Sequence, residues 1–306
     1  MTVTAVITVA RGRHGHLHQQ HLGLQSSTVA PDHYFVVAMG DPELAGWDPG
    51  GTVRPTLRTL ELDDGRLPLA AARNLGARTA LAAGADVLIF LDVDCIPAPD
   101  LVATYRSAAE HPETRDDLLC GPVAYLPPAP AQGYDLSRLS DLAPPHPARP
   151  APPAGQVVTD HEGHQLFWSL SFAVSRRTWS TIGGFDEAYV GYGGEDTDFA
   201  QRAAARDIPV SWVGGALSHH QHHPVSSPPV EHLDDIVRNA AIFHQRWGWW
   251  PMQGWLDDFE RSGLAQRHPD GSWTRVTSAD VPSAEAGLQA PRDVHQQGTA
   301  IDRAHD

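Results

Sequence analysis

The sequence FLDVDCIP, Phe90–Pro97, joins the end of an apolar run to a pair of carboxylates. The run Val87–Leu91 (VLIFL) has the β-branched and aromatic composition of a central strand that is covered on both faces. Asp92 and Asp94 follow it, and side-chain alternation along an extended chain puts both on the same side. Two carboxylates at a strand end suit a hard divalent cation, and phosphate oxygens of a ligand would complete the coordination shell of that cation. Capping of turn N–H groups by the two aspartates is the alternative, and both interpretations stay open.

Two further apolar runs and two helix-like segments precede this stretch. Val3–Ala10 and Tyr34–Met39 have the composition of buried strands, while His16–Leu24 and Leu69–Ala83 are typical of helices. Strands that alternate with helices indicate an α/β fold around a largely parallel sheet. Ligands in such sheets bind at the carboxyl ends of the strands. The residues directly after the three predicted strands are Arg11, Gly40–Asp41 and Asp92–Asp94.

The composition excludes several classes of protein. The 306 residues, 41% of them hydrophobic, can bury a core, and two cysteines cannot build a disulfide framework. The net charge of −15 argues against nucleic acid as a partner. Met1–Ala10 is too short to span a bilayer and lacks the features of a signal peptide. We therefore expect a soluble, cytoplasmic protein without a membrane span.

The proline content divides the chain. Ten prolines fall within Gly121–Gly155, which predicts a long loop insertion; a solvated segment without function is the alternative. A strand is predicted over Gln165–Val174, and the last helix over Pro229–Arg246. Residues 263–306 are polar and without periodicity, which predicts a disordered tail. The sequence thus predicts a single domain over residues 1–262.

Glycine pairs precede two acidic residues in the second half of the chain. They occur in Gly183–Glu187 (GGFDE) and Gly191–Asp198 (GYGGEDTD), and such pairs allow positive φ or close approach of the backbone to a ligand. Glu195 and Asp196 would lie in the first turn of a helix, where the helix dipole favours negative charge. A carboxylate held there is a candidate general base for an alcohol. Simple capping of the helix is the alternative.

Four histidines fall within the five positions His219–His223. Neutral imidazole is a common ligand of transition metals. Neighbouring side chains of an extended chain point to opposite sides, so at most one or two of these histidines could bind one ion. Because the chain has 18 histidines, a surface cluster without a function is the alternative.

These three constellations occur in one order, and together they resemble a known family. The chain resembles GT-A-fold glycosyltransferases of the family 2 type, and its second half is similar to the galactosyltransferase and chondroitin-polymerase group. The resemblance spans Val3 to Leu256 and implies an α/β fold with a mixed, mainly parallel central sheet flanked by helices. It rests on the segments AARNLGA (Ala71–Ala77), IFLDVDCIP (Ile89–Pro97), IGGFDEAYVGYGGEDTDFAQR (Ile182–Arg202) and ALSHHQHHP (Ala216–Pro224).

The resemblance implies a metal-dependent transfer from a nucleotide-sugar, here a UDP-sugar. In that family the Asp-x-Asp motif holds Mn²⁺ (or Mg²⁺) and the diphosphate of the donor. Asp94 matches the direct metal ligand, and Asp92 lies nearer the nucleotide ribose or shares the metal. The family takes a further ligand from a histidine after the Glu-Asp motif. His220 matches that place best, and His222 and His223 are second choices.

The same resemblance assigns roles on the substrate side. Asp196 matches the catalytic base of the inverting members, and Glu195 matches a residue that hydrogen-bonds a sugar. Tyr192 stands where the galactosyltransferases have a tryptophan that stacks on sugar. Arg11 and Asp41 match nucleotide contacts, although many members have a paired-acid motif where this chain has Met-Gly-Asp.

The helix before the metal strand carries two more matches. Arg73 and Asn74 match residues near the diphosphate and donor sugar; an exposed helix face is the alternative. The metal and Arg73 would stabilise charge on the leaving diphosphate. The acceptor is expected to be a saccharide or glycoconjugate, with Gly121–Gly155 beside it. The sequence predicts no oligomeric state.

Two other functions stay open on the sequence. A sugar-phosphate nucleotidyltransferase would share the fold, but such enzymes usually have a Gly-rich basic loop after the first strand, for which Arg11–Gly15 is short. A non-catalytic His-rich module that binds metal or sugar would not need the pair Glu195 and Asp196.

Overall fold

In the computed structural model of the chain, the described residues are 1–62, 65–224 and 226–277. The chain divides into two compact units, Met1–Pro224 and the residues that follow. This division lies inside residues 1–262, for which the sequence predicts a single domain. Pro224, Pro228 and Pro229 occur close to it, and a segment so rich in proline cannot continue a helix or a central strand.

The first unit contains two sheets. Its strands, within the described residues, are β1 (Thr4–Ala10), β2 (His33–Met39), β3 (Pro55–Leu60), β4 (Val87–Leu91), β5 (Cys95–Pro97), β6 (Leu118–Cys120), β7 (Val123–Tyr125), β8 (Val157–Asp160), β9 (Ser171–Ser175), β10 (Val210–Val213) and β11 (Ser218–His220). Eight of them form the main sheet in the order β3-β2-β1-β4-β9-β6-β10-β8, and the order of the small sheet is β5-β11-β7. In the main sheet only β9 and β8 run antiparallel to their described neighbours. This mixed, mainly parallel sheet confirms the predicted fold class.

Helices flank the main sheet. The described helices of the whole chain are α1 (His14–Gln25), α2 (Leu69–Ala82), α3 (Leu101–Glu110), α4 (Arg176–Ile182), α5 (Glu195–Ala204), α6 (Leu233–Trp247) and α7 (Gln253–Arg261). Helix α2 packs on β1 and β2, and α3 packs on β4 and β9. Within the described ranges, no helix combines the length and apolar character needed to cross a membrane.

The core of the first unit lies on both faces of the main sheet. Ala5 and Ile7 of β1 belong to one cluster of buried residues, and Val6 and Ala10 belong to another. This separation follows from the alternation of side chains along a strand. All seven residues of β1 are buried, which explains an apolar run without alternation. Because β1, β2 and β4 are parallel, their carboxyl ends meet at one edge of the sheet.

The three strands first predicted are confirmed close to their expected bounds, but later elements differ. The strand predicted over Gln165–Val174 begins at Ser171, because Gly163–Leu166 forms a 3-10 turn. The helix predicted over Pro229–Arg246 begins at Leu233, after another 3-10 turn.

The proline-rich loop, Gly121–Gly155, is partly built into the first unit. It contains β7 and a 3-10 helix at Leu136–Asp141. Leu126, Leu139 and Arg149 are each at most 5% exposed. The interpretation of this loop as a solvated insertion is therefore wrong for its buried parts.

The second unit has a small core of its own. Helices α6 and α7 bury Trp255 and Phe259 together with Trp273. Two antiparallel strands form a hairpin, β12 (Ala265–Arg267) and β13 (Trp273–Arg275). The hairpin shows that regular structure continues past Gly263, where the sequence predicts a disordered tail. The rest of that predicted tail, from residue 278 on, lies outside the described residues.

Candidate active site

The small sheet brings distant parts of the chain together. Its register places Cys95 and Tyr125 on either side of His220. Asp94 directly precedes β5, and its backbone carbonyl accepts a hydrogen bond of 2.8 Å from the amide of Gln221. The second carboxylate of the Asp-x-Asp motif and the histidine segment are therefore neighbours in space.

Asp94, His220 and His223 form a cluster that could hold a metal ion. Their ligand atoms all lie within 4.8 Å of one another. The Nε2 atoms of His220 and His223 are each 3.5 Å from an oxygen of the Asp94 carboxylate. His222 is exposed, and His219 occupies the opposite face of β11 from His220. Two of the four histidines thus lie at Asp94, and the second is His223 rather than His222.

The electrostatics of this cluster suit a divalent cation. Burial acts to raise the pKa of Asp94, but the hydrogen bond from His223 and the charges of His220 and Arg13 lower it to about 2. Burial lowers the pKa of His220, which favours the neutral imidazole that ligates metals. One carboxylate and two imidazoles fit Mn²⁺ better than Mg²⁺, which prefers oxygen ligands.

Arg13 contacts the same carboxylate from the start of α1. Its guanidinium pairs with Asp94, and the chain reaches this position through positive φ at Gly12 and at Arg13 itself. Arg11 is exposed and donates a hydrogen bond of 2.8 Å to the carbonyl of Gly65. Arg13 is therefore the arginine after β1 that meets the cluster, and a nucleotide contact by Arg11 stays a prediction.

Asp41 is buried at the end of β2 and holds the loop after β1. It accepts hydrogen bonds from the amide of Gly12 at 2.7 Å and from Nε2 of His14 at 2.8 Å. Burial acts to raise the pKa of Asp41, but these hydrogen bonds lower it overall. Asp41 thus positions the loop that carries Arg13, while direct contact with a nucleotide stays a prediction.

Arg73 joins the two acidic motifs. Its guanidinium donates to Glu195 Oε1 at 3.0 Å and to Asp92 Oδ1 at 3.1 Å, and it lies 5.2 Å from the centroid of the Phe185 ring. Burial acts to lower the pKa of Arg73, but the two carboxylates raise it overall. Arg73 and Asn74 are both buried, so the alternative of an exposed helix face is wrong.

Asn74 fixes the loop that contains the first glycine pair. Its Nδ2 donates to the carbonyl of Phe185 at 2.9 Å and to Glu187 at 2.8 Å, and its Oδ1 accepts from the amide of Phe185 at 2.9 Å. Gly184, at φ 74°, comes so close that a Cβ there would lie 2.8 Å from Asn74 Oδ1. Asn74 therefore positions this loop, and a contact between Asn74 and the donor stays a prediction.

The Glu-Asp pair opens α5, as the sequence predicts. Gly194 precedes it at φ 88°. Glu195 is buried, and its Oε2 has no hydrogen-bond partner among the described residues. Burial and the charge of Asp196 raise the pKa of Glu195, against the opposing effect of Arg73. Asp196 is less buried and accepts a 2.7 Å hydrogen bond from the amide of Thr197. Glu195 thus offers a buried carboxyl group whose Oε2 can accept a further hydrogen bond, and Asp196 offers a more accessible carboxylate.

Aromatic rings extend from the metal cluster into the proline-rich loop. Tyr125 stacks on His220 with ring centroids 4.6 Å apart, His146 lies 5.2 Å from Tyr125, and Trp168 lies 5.3 Å from His146. Tyr125, His146 and Trp168 are called the aromatic row below. Tyr192 is 37% exposed and lies close enough to influence the pKa of the Tyr125 phenol, which burial raises. The loop thus borders the cluster.

Three residues near this site have no role in the sequence analysis. Arg13 stands two positions after Arg11 behind the same strand, a signal that could have included it. Tyr125 and Arg149 belong to the proline-rich loop. That loop has no periodicity to indicate which side chains turn inward, so no sequence signal pointed to them.

The segment that carries two of the motifs matches a family model. The model described as the N-terminal domain of galactosyltransferase matches residues 162–224. This range holds Glu195, Asp196 and the histidine segment.

Curated relatives match over more of the chain. It is 27% identical over 245 residues to a validoxylamine A glucosyltransferase of Streptomyces hygroscopicus subsp. limoneus, covering 70% of this chain and 52% of that protein. A validoxylamine A glucosyltransferase of Streptomyces hygroscopicus subsp. jinggangensis (strain 5008) is 29% identical over 191 residues, covering 56% of this chain and 44% of that protein. The chain therefore spans about half the length of the curated relatives it matches.

Solved structures share the fold at low identity. S. aureus TarS 1–349 has a TM-score of 0.50 and 12% identity, covering 78% of this chain and 65% of that one. GalNAc-T7, solved with UDP, GalNAc and Mn²⁺, has a TM-score of 0.51 and 14% identity, covering 86% of this chain and 57% of that one. The sheet, the family model and these relatives together confirm that the chain has a GT-A-type fold and resembles the glycosyltransferases.

Proposed function

We propose that the chain is an inverting, metal-dependent glycosyltransferase of the family 2 type, which moves a hexose from a UDP-sugar to a saccharide hydroxyl. One observation carries the proposal: the candidate metal cluster is connected to the Glu-Asp pair. The cluster consists of Asp94, His220 and His223. Asp92, two positions before Asp94, and Glu195 both accept hydrogen bonds from Arg73. The names of the relatives, two glucosyltransferases and a galactosyltransferase domain, support a hexose. UDP in GalNAc-T7 supports the nucleotide.

Asp94, His220 and His223 would hold Mn²⁺. The ion, when bound, supplies positive charge to the leaving diphosphate. The depressed pKa of Asp94 and the favoured neutral form of His220 support this donor set. Both terminal nitrogens of Arg73 are already engaged with carboxylates. Arg13, whose side chain is 40% exposed beside Asp94, is therefore the arginine better placed to contact the diphosphate.

Asp196 would accept the proton of the acceptor hydroxyl. The hydroxyl oxygen forms a bond to the anomeric carbon as the bond from that carbon to the diphosphate oxygen breaks, and the electron pair leaves with the diphosphate. Attack from the side opposite the diphosphate inverts the anomeric centre. The spare Oε2 of Glu195 would accept a hydrogen bond from a sugar hydroxyl.

A panel of nucleotide-sugars tests the proposal. UDP-glucose, UDP-galactose, UDP-N-acetylglucosamine and GDP-mannose are titrated calorimetrically with MnCl₂ and again with EDTA. At least one UDP-hexose should bind with Mn²⁺ and lose its affinity with EDTA or in Asp94→Asn. Asp207→Asn, at an exposed position after α5, is the matched carboxylate control. If no UDP- or GDP-sugar binds the wild-type chain, the transferase proposal fails.

A further inference from the structure

A buried arginine in the proline-rich loop lacks a hydrogen-bonded anion within the described part of the chain. Arg149 is 5% exposed, and none of its three guanidinium nitrogens has a hydrogen-bond partner among the described residues. A buried cation without hydrogen bonds is strongly destabilising. A ligand that supplies the missing acceptors would account for such a residue.

Two tryptophans hold the guanidinium in place. Its central carbon lies 4.8 Å from the ring centroid of Trp168 and 5.4 Å from that of Trp212. Contact with aromatic rings stabilises a cation but provides no acceptor for its five N–H groups. The planar fork of the guanidinium matches two oxygens of a carboxylate or phosphate. The geometry therefore indicates an oxyanion as the absent partner.

Three of the groups around Arg149, a thiol and two phenols, favour their neutral forms. Burial raises the pKa of Cys120 to about 12, and burial also raises the pKa values of Tyr105 and Tyr125. Burial lowers the pKa of Arg149, and the charge of Asp196 is among the influences that oppose this effect. No described carboxylate is hydrogen-bonded to Arg149.

The position of Arg149 indicates which part of a substrate it would meet. The aromatic row begins at Tyr125, which stacks on His220 of the metal cluster, and ends at Trp168, over which Arg149 lies. The diphosphate is assigned to the metal cluster and Arg13. Asp196, the proposed base, is a carboxylate whose charge influences the pKa of Arg149. An anion at Arg149 would therefore belong to the reacting sugars.

We propose that Arg149 binds a carboxylate or phosphate group carried by the donor sugar or by the acceptor, and so selects an acidic substrate. The identity of that substrate rests on the proposed function. Because the guanidinium is buried, binding of the anion would require a rearrangement of the residues packed around it.

Stability measurements test whether Arg149 has a purely structural role. Arg149→Met keeps an apolar side chain of similar length against the two tryptophans and removes the charge. Arg138→Met, in the same loop, is the matched control, because Arg138 is 69% exposed and pairs with Asp141. Without ligand, Arg149→Met should unfold at the wild-type temperature or above it, since an unpaired buried cation is removed. A clearly lower unfolding temperature for Arg149→Met than for Arg138→Met would overturn the proposal.

Binding measurements in the presence of MnCl₂ locate the anion. The donor arm compares UDP-glucuronate with UDP-glucose. The acceptor arm compares D-glucuronate and D-glucose 6-phosphate with D-glucose on protein saturated with UDP. The wild type and Arg138→Met should prefer the acidic compounds in one arm by about tenfold to a hundredfold, and Arg149→Met should lose that preference. Preference in the donor arm places the anion on the transferred sugar, and preference in the acceptor arm places it on the acceptor.

Binding of UDP alone separates this inference from the proposed function. Arg149→Met should bind UDP with Mn²⁺ within about twofold of wild type, because Arg149 is assigned to the sugars. The inference is overturned if the wild type prefers no acidic compound or if Arg149→Met keeps the preference. It is also overturned if Arg149→Met weakens the binding of UDP by the same factor as the binding of the acidic compound. If UDP does not bind the wild type, the proposed function fails. The unfolding temperatures with and without D-glucuronate then decide the role of Arg149. An increase for the wild type but not for Arg149→Met supports anion binding by Arg149.

Discussion

At the residue scale, the candidate site depends on buried charges that serve two motifs at once. Arg73 connects Asp92, 19 positions after it, with Glu195, 122 positions after it. The sequence could predict both carboxylates, because each follows a strong local signal. It could not predict the pairing by Arg73. Helix α2 is rich in small residues and is buried over a wide face, so the sequence has no separate polar face that would show where Arg73 points.

His223, rather than His222, is expected to matter for metal binding. His223→Ala should weaken Mn²⁺ affinity by about tenfold or more, because it removes an imidazole 3.5 Å from Asp94. His222→Ala, an exposed neighbour in sequence, is the matched control and should stay within about twofold of wild type. Calorimetric titration of the metal-free proteins with MnCl₂ measures both affinities. Equal losses in the two variants would contradict the assignment.

Glu195 is expected to make stability fall as the pH rises. The pKa of Glu195 in the folded state lies above the ordinary value of 4.5. In the pH range that begins near 4.5, the folded protein therefore binds more protons than the unfolded chain. The free energy of unfolding therefore decreases with rising pH, by about 1.4 kcal/mol for a pKa difference of one. Glu195→Gln, which keeps an acceptor for Arg73, should remove this part of the decline.

Chemical denaturation of the metal-free proteins between about pH 4.5 and pH 8 measures the effect of Glu195. The comparison uses the slope of the free energy of unfolding against pH, so a constant loss of stability in Glu195→Gln does not matter. Identical slopes for wild type and Glu195→Gln would refute the raised pKa.

At the scale of elements, buried strands of five to seven residues were predictable, whereas the six-residue β3, none of whose residues is fully buried, and the strands of the small sheet were not. β1, β2 and β4 are five to seven residues long and wholly or largely buried, so each leaves an apolar run in the sequence. The strands of the small sheet have three residues each, too few to show a period. Their register alone brings the histidine segment beside the Asp-x-Asp motif, so the cluster could not be assembled from the sequence.

Gly121, between β6 and β7, is expected to tolerate no larger side chain. A Cβ there would lie 2.0 Å from the carbonyl oxygen of Ala216 and 2.7 Å from the hydroxyl of Tyr105. Gly121→Ala should lower the free energy of unfolding by about 1–3 kcal/mol. It should also weaken Mn²⁺ binding, because Ala216 leads into β11.

Gly15→Ala is the matched control for Gly121→Ala. A Cβ at Gly15 meets nothing within 4 Å, and alanine favours a helix, so stability should stay equal or rise by up to about 1 kcal/mol. Urea denaturation measures both variants. Equal stability of Gly121→Ala and Gly15→Ala would show that the close contact around Gly121 does not constrain the fold.

At the scale of the whole molecule, the fold class was predictable and the division of the chain was not. Alternating strand and helix signals are enough to indicate a parallel sheet, whereas the separation after Pro224 depends on which residues share a core. The small core around Trp255 and Phe259 belongs to the second unit. The net charge of −15 also has a partial explanation, since Asp92, Asp94, Glu195 and Asp196 belong to one candidate site.

Product formation by Asp196→Asn tests the central claim most directly. With the best donor and acceptor from the panels and with MnCl₂, Asp196→Asn should reduce kcat by about a hundredfold or more, because it removes the proposed base. The affinity of Asp196→Asn for UDP with Mn²⁺ should stay within about twofold of the wild-type affinity. The control variant Asp207→Asn should retain the wild-type kcat. Product formed by Asp196→Asn at the wild-type rate would contradict the account.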